Sequence, residues 1–513
     1  MSDTAAYTPL KPYAFDDTPI HGLYQTKSQI FTKMEQCRLL SLADELLLSI
    51  VETLADDKQS LARLASTCTH FKGISEPFLY RDIKLRSTVE ADHIATSIKA
   101  NEARALAVHF IDSCSSASNR TTNFNFLMRD FKNLRSWTIE SPYTNYSAWV
   151  EEQGSQWVEN DLEQIIEVFQ LAGLASTLIE QPKPLVLLQS FTLHPHGHSS
   201  RCYRLDRLGA IFLHPSLRTI HLSCVNIDKD IEYLQQHQHT TPLTTLIFDE
   251  CEISAPGLAS VLCAPKGLTD LTLGENLHHS DFPSIWARRH RRDSHDGLVE
   301  ALLQQAHSLQ FFKHLRETSA PVRGFNLLPK LRKLELSSVD IRQLFKYEHF
   351  LPSDLESLVL IESNETWFGK LDQVRTLLAA HWLRNLKSLS FIVTLHHLAE
   401  TLSDKLWGAT LAQQVHKLAY ELRNRGICFQ IFVRNDCSRT IPPYLDGERI
   451  PQPVVVYDSQ DYSFEARLGE EIPLEERRDK DELTEEEVIA LKKQTDWQVP
   501  YCVVCWGDSL EWE

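Results

Sequence analysis

At 513 residues the chain has room for two to four domains, or for one domain followed by an elongated repeat array. Asp and Glu outnumber Lys and Arg by 69 to 52, a net charge of −17. That balance argues against unaided binding to nucleic acid or anionic membrane, because phosphates need neutralisation by cations. Eleven cysteines without regular spacing point to a reducing compartment. With no basic-then-apolar start and no apolar run of about 18 residues, the expectation is an intracellular protein, in cytoplasm or nucleus, with no membrane partner.

Residues 1–36 carry Pro9, Pro12 and Pro19 without periodicity and read as a loosely held arm. Residues 37–86 are denser in apolar side chains. Ser41 followed by Asp44 is a capping-box start. Leu42, Leu46, Leu47, Ile50 and Leu54 recur at helical spacing behind it. Asp56 and Asp57 mark a break, then Leu61, Leu64, Ala65 and Cys68 form a second stripe. Phe71, Ile74, Phe78 and Leu79 form a third, with Pro77 near its last turn. So short a unit cannot bury all these side chains by itself, so the rest of the chain or a partner must cover some.

The order Asp44-Glu45-Leu46-Leu47, Ile50, Leu54, Leu61-Ala62, Cys68, Phe71, Pro77 and Leu79-Tyr80 resembles an F-box. More narrowly, it is similar to that of fungal proteins carrying irregular leucine-rich repeats behind it. The resemblance implies docking onto the Skp adaptor, and through it onto cullin, in a Skp–cullin–F-box ubiquitin ligase. It implies that Leu42, Ala43, Leu46, Ile50, Leu54, Leu64, Cys68 and Phe71 face the adaptor. The family usually has proline where this chain has Ala43. On the residues alone, an ordinary three-helix core is the other reading.

Arg81–Leu85 reads as a strand, 89–101 as a helix, and Leu106, Val108 and Phe110 alternate like a second strand. A repeat then emerges, apolar at i, i+3 and i+5. It begins at Leu134, Leu188, Leu217, Leu243, Leu268, Leu331, Leu355 and Leu386. Five of the seven intervals run from 24 to 31 residues, and the other two are 54 and 63. The +3 and +5 side chains share one face of a strand, and one such face is too small to be buried without neighbours. The expected fold is therefore α/β: a short three-helix F-box, then an irregular leucine-rich-repeat solenoid over 87–438. Its parallel strands would line the concave face and its helices, such as Leu162–Leu178 and Gly257–Leu262, the convex one. An unrelated α/β domain is the alternative.

Insertions are expected at 140–160, rich in aromatics, and at 280–325, which holds Arg288–Arg292 and a helix-like run from Leu298 to Leu315 and is long enough for one degenerate repeat plus an insertion. Residues 439–513 read as an acidic tail or cap. From 440 onward the chain has 19 Asp/Glu against 7 Lys/Arg. Thr484 with Glu487 forms a capping box there, and Val454–Tyr457 could instead pair with the last repeat.

No catalytic motif is present, so no enzyme activity, cofactor or metal is expected. Cys502 and Cys505 lack a second ligand pair. His194, His196 and His198, with Cys202, follow a predicted strand and read as a solvated loop. Arg288–Arg292 could serve nuclear import or an acidic partner, or pair with the chain's own carboxylates. The working surface should lie between the buried strand positions. Its expected substrate-binding residues are Thr219, His221, Thr245, Asp249, Asp270, Lys333, Glu335, Ile361 and Ile392. The expected function is substrate recognition for the ligase, binding a protein. A scaffold that uses the helices for a partner outside the ligase is the alternative.

Overall fold

The computed structural model describes residues 38–114, 122–140, 162–173, 183–195, 203–223, 225–249, 251–274, 297–315, 324–337, 350–362, 371, 374, 384–395, 409–435 and 453–460. It is an α/β protein with one large, mostly parallel sheet and helices packed against it. The chain divides into two compact units, Met1–Ser75 and Glu76–Glu513. The expected arm, the aromatic insertion, Arg288–Arg292, His196, His198, Cys202, Cys502, Cys505 and the capping box at Thr484 lie outside the described residues.

In the first unit, a 3-10 turn Arg38–Ser41 precedes α1 (Asp44–Thr53) and α2 (Lys58–Ala65), and α3 (Thr69–Arg81) begins. The expected capping box does not form. Ser41 belongs to the preceding turn, and Ala43 occupies the N-cap with φ −62° and ψ 148°. Asp44 and Glu45 still place negative charge on the positive end of the α1 dipole. Asp57 caps α2, accepting from the Ser60 N–H at 3.0 Å and the Ser60 hydroxyl at 2.6 Å. Those bonds hold the Asp57 carboxyl below its ordinary pKa. Pro77 lies inside α3 rather than ending it. Leu47, Val51, Leu61 and Phe71 are buried, each worth roughly 1.5–3 kcal/mol.

In the second unit, thirteen strands among the described residues form the large sheet. They are β1 (Asp82–Leu85), β2 (Phe110–Cys114), β3 (Ser136–Glu140), β4 (Ser190–His194), β6 (Thr219–Ser223), β8 (Thr245–Asp249) and β10 (Asp270–Gly274). The rest are β11 (Phe311–Leu315), β12 (Lys333–Ser337), β13 (Ser357–Glu362), β14 (Ser388–Leu395), β15 (Cys428–Asn435) and β16 (Val454–Asp458). They lie side by side in that order, all parallel until β16, which runs antiparallel to β15. Three short strands form a second sheet: β5 (Tyr203–Arg204), β7 (Val225–Ile227) and β9 (Glu252–Ile253).

Strands stand behind all eight repeat starts, and equivalent positions pair: Trp137 with Phe191, Phe191 with Ile220, Ile220 with Leu246, Leu246 with Leu271. The +3 and +5 side chains form one continuous core row. Helix Glu163–Gly173 packs on that row: Phe169 stacks on Trp137 at 5.9 Å and meets Phe191 edge-on at 4.7 Å. Cys251, eight residues after Leu243, is buried and turned back onto the ladder. Its thiol lies 3.5 Å from the Leu222 carbonyl and 3.1 Å from that of Asp249, and its N–H donates to Gly274 O at 2.9 Å.

Two expectations are corrected. Leu106 and Val108 do not start a strand: Glu102–Ala107 is helical, capped by Asn101, and β2 begins at Phe110. The run Leu298–Leu315 is a helix only to Leu303, where Gln304 is the C-cap, and Phe311–Leu315 is a strand. The long interval between Leu268 and Leu331 holds a further strand, in keeping with the degenerate repeat that its length allowed, and its +5 position is His314, buried and stacked on Phe312. Val454–Tyr457 does pair with the preceding strand.

Candidate functional site

The first unit exposes an unusual amount of apolar surface. Leu46 is 54% and Ile50 38% exposed, one turn apart on α1, with Leu42 at 38% just ahead of the helix. Leu39, Leu40 and Leu48 are exposed as well. The helical stripe read from sequence therefore splits: Leu47 and Val51, one position on, take the interior, while Leu46 and Ile50 face out. Ala43 is exposed, and Leu54, Leu64 and Cys68 are half-buried. Phe71 does not belong to this surface. It is only 5% exposed, and its N–H donates to Cys68 Sγ at 3.5 Å. The apolar stripe from Leu42 to Leu54 was visible in sequence, but helical spacing alone does not separate its outward members Leu42, Leu46 and Ile50 from the inward Leu47.

In the second unit, the sheet face opposite the core row carries the expected substrate residues. Thr219, Thr245 and Asp270 stand in one register row, and Asp249 pairs with Ser223. All four are half-buried, as are His221 and Ile392. Burial holds the His221 imidazole below its ordinary pKa, opposed by Asp249. Lys333 is exposed. Glu335 and Ile361 are on the expected face but are not open: Glu335 is 7% and Ile361 4% exposed. Glu335 lies beneath two ammonium groups, Lys333 Nζ at 2.8 Å and Lys313 Nζ at 3.3 Å, and Lys333 also sits 4.9 Å over the Phe311 ring. Ile361 is wedged between its register partners Ser337 and Ile392.

The last position on this face is buried on several strands, at Glu140, His194 and Ser223. His194 Nδ1 meets Ser223 Oγ at 2.5 Å, so His194 is a packed side chain and not part of a solvated loop. Among the described residues no three His, Cys, Asp or Glu side chains gather as a metal site would require. Among the same residues, no helix is long and apolar enough to cross a membrane.

No protein-family model matches the chain, and no curated protein matches it.

Proposed function

We propose that the first unit is an F-box and that the protein is the substrate-recognition adaptor of a Skp–cullin–F-box ubiquitin ligase. In this reading the second unit is an irregular leucine-rich-repeat solenoid that holds a protein substrate. The observation that carries the proposal is the exposure of Leu46 and Ile50 on α1, with Leu42 before it. Large apolar side chains clustered at the surface are what a partner helix would cover. The solenoid reading draws on the parallel strands that follow the repeat starts in sequence order, and on Cys251, which stands where the repeat consensus has Asn or Cys.

The mechanism is proximity. Docking fixes the substrate near a ubiquitin-charged enzyme and raises the effective concentration of its lysines there. The protein itself needs no catalytic group for this.

Co-purification with a fungal Skp adaptor tests the reading, comparing wild type with Ile50→Asp. Because Ile50 faces outward, the variant should keep its circular dichroism and lose the complex. A wild-type chain that captures no adaptor, or a folded variant that captures it equally well, would sink the proposal.

A further inference from the structure

In the large sheet, from β2 to β14, the residue immediately before each strand donates its N–H across to the equivalent position of the preceding strand. His109 donates to Arg81, Arg135 to His109, Gln189 to Arg135, Arg218 to Gln189 and Thr244 to Arg218, all at 2.8–2.9 Å. These positions therefore stand one rung apart along the strand-start edge of the sheet, about 4.8 Å per rung. Arg135 and Arg218 flank Gln189 and so lie about 10 Å apart.

Arg135 and Arg218 are exposed, and among the described residues their side chains make no ion pair or hydrogen bond. The turns that lead into β3, β4 and β6 add Lys132 and Lys183, both exposed and also unpaired among the described residues, against Asp130 alone. Arg81, at the far end of the row, is engaged with Asp82 at 2.9 Å. The field is felt locally. Burial, then Arg135 and Arg81, hold the His109 imidazole below its ordinary pKa, and Lys183 adds to burial in doing the same at His214. In a chain where Asp and Glu outnumber Lys and Arg 69 to 52, an edge with four cations unpaired among the described residues is a segregated charge.

The same edge is apolar as well. Val186 and Leu187, in the turn before β4, are 44% and 43% exposed. Their turn is tied to its neighbours, since Gln189 N–H reaches Arg135 O and Ser216 Oγ donates to Leu188 O at 2.8 Å.

We infer that this strand-start edge, formed by Lys132, Arg135, Lys183 and Arg218 around Val186 and Leu187, is a docking surface for an acidic, leucine-bearing segment of a partner protein. Charge complementarity selects the occupant, and the spacing sets its form. A chain in the polyproline II form has three residues per turn and rises about 3.1 Å per residue, so carboxylates on every third residue line one face about 9 Å apart and match Arg135 and Arg218. Apolar side chains between them cover Val186 and Leu187. The inference deepens the substrate-holding role proposed for this unit by naming the chemistry it holds.

The test is fluorescence anisotropy with the full chain and a labelled Glu-Leu-Ser repeat peptide of about 12 residues, roughly 40 Å extended. A Gln-Leu-Ser peptide is the control. Wild type should bind the first, weakening as salt rises from about 0.05 M to about 0.5 M, and should bind the second at least about tenfold more weakly. Arg135→Glu with Arg218→Glu should cost at least about tenfold, and Val186→Ser with Leu187→Ser severalfold. Equal binding of the two peptides, or unchanged binding by both variants, overturns the inference. So does a wild type that binds neither peptide. If binding appears only when Glu485, Glu486 and Glu487 are changed to Gln, the chain's own acidic stretch is the occupant, and the partner assignment is overturned. No adaptor is present in this assay, so its outcome is independent of the α1 docking experiment.

Discussion

Gln305 holds Leu268 in register: its Oε1 accepts the Leu268 N–H at 2.8 Å, just before β10 begins. Its Nε2 donates to the Leu262 and Pro265 carbonyls at 2.8 and 3.0 Å. One fully buried amide thus satisfies three backbone groups of the turn between helix Ala255–Cys263 and β10. Gln305→Leu removes the side-chain partner of the buried Leu268 N–H and of the Leu262 carbonyl, while the Pro265 carbonyl keeps His239 Nδ1 at 3.2 Å. The expected loss is about 2–4 kcal/mol, read as a lowered urea midpoint. A change no larger than that of a surface control such as Gln238→Leu would show that water replaces the amide.

Ala43 stands at the N-cap of α1 with φ −62°, the angle a proline ring imposes. Ala43→Pro should therefore keep the fold and raise stability by about 0.4–1 kcal/mol by restricting the unfolded chain. Under the adaptor proposal it should also bind the Skp adaptor at least as tightly. Thermal melts and a pull-down check both halves; a lowered melting temperature would mean that the ring clashes with the turn Arg38–Ser41.

His214 is buried edge-on to Phe169, and its Nδ1 accepts the Ser216 N–H at 3.4 Å. Burial, with Lys183 adding to it, lowers its pKa to about 4. An unfolded histidine titrates near about 6.5. As pH falls below that value, the unfolded chain takes up a proton that the folded protein refuses until about 4. Stability should decline across this window by up to about 3 kcal/mol from this group. His214→Asn keeps an acceptor and cannot titrate, so its urea midpoint should fall less between pH 7.5 and pH 5 than that of wild type. Parallel losses would assign the slope to other groups.

Arg104 and Glu76 form a largely buried pair at 2.6 Å, with side chains 16% and 17% exposed. Arg104 also donates to Ser97 O at 2.9 Å and to Ser97 Oγ at 2.7 Å, and lies 5.2 Å over the Tyr80 ring. Glu76→Leu strands the guanidinium and should cost about 3 kcal/mol. Adding Arg104→Met should recover part of that loss, because a matched apolar pair carries no desolvation penalty. A double variant weaker than the single one would mean that the bonds to Ser97 dominate.

The core row was legible because each of its strands repeats an apolar pair two residues apart behind a leucine. Leu243, Leu246 and Phe248 show the pattern plainly, and the structure places them on one buried face. β11 was legible only as an interval long enough for a degenerate repeat, because a buried histidine replaces the second apolar residue; β15 was not legible, because Gly426 stands where the leucine would. The surface of α1 was half legible. Sequence gave the amphipathic stripe, but Leu46 and Leu47 are adjacent, and only packing decides which turns inward. The basic edge was missed altogether. Its members lie far apart in the chain, and the ladder alone brings Arg135 and Arg218 together.

β16 reverses the strand direction of the large sheet, and its pairing with β15 carries a register shift between Ile431 and Phe432. Tyr457 is fully buried there against Phe429 and His416. During synthesis, β15 therefore waits for its closing neighbour until residue 458 has left the ribosome. A nascent or prematurely stopped chain ending before Val454 presents the β15 backbone edge unpaired, with the side chain of Phe429 deprived of its cover. Such an edge is a template for another strand, so a chain stopped just before Val454 is expected to aggregate although it keeps 453 of the 513 residues.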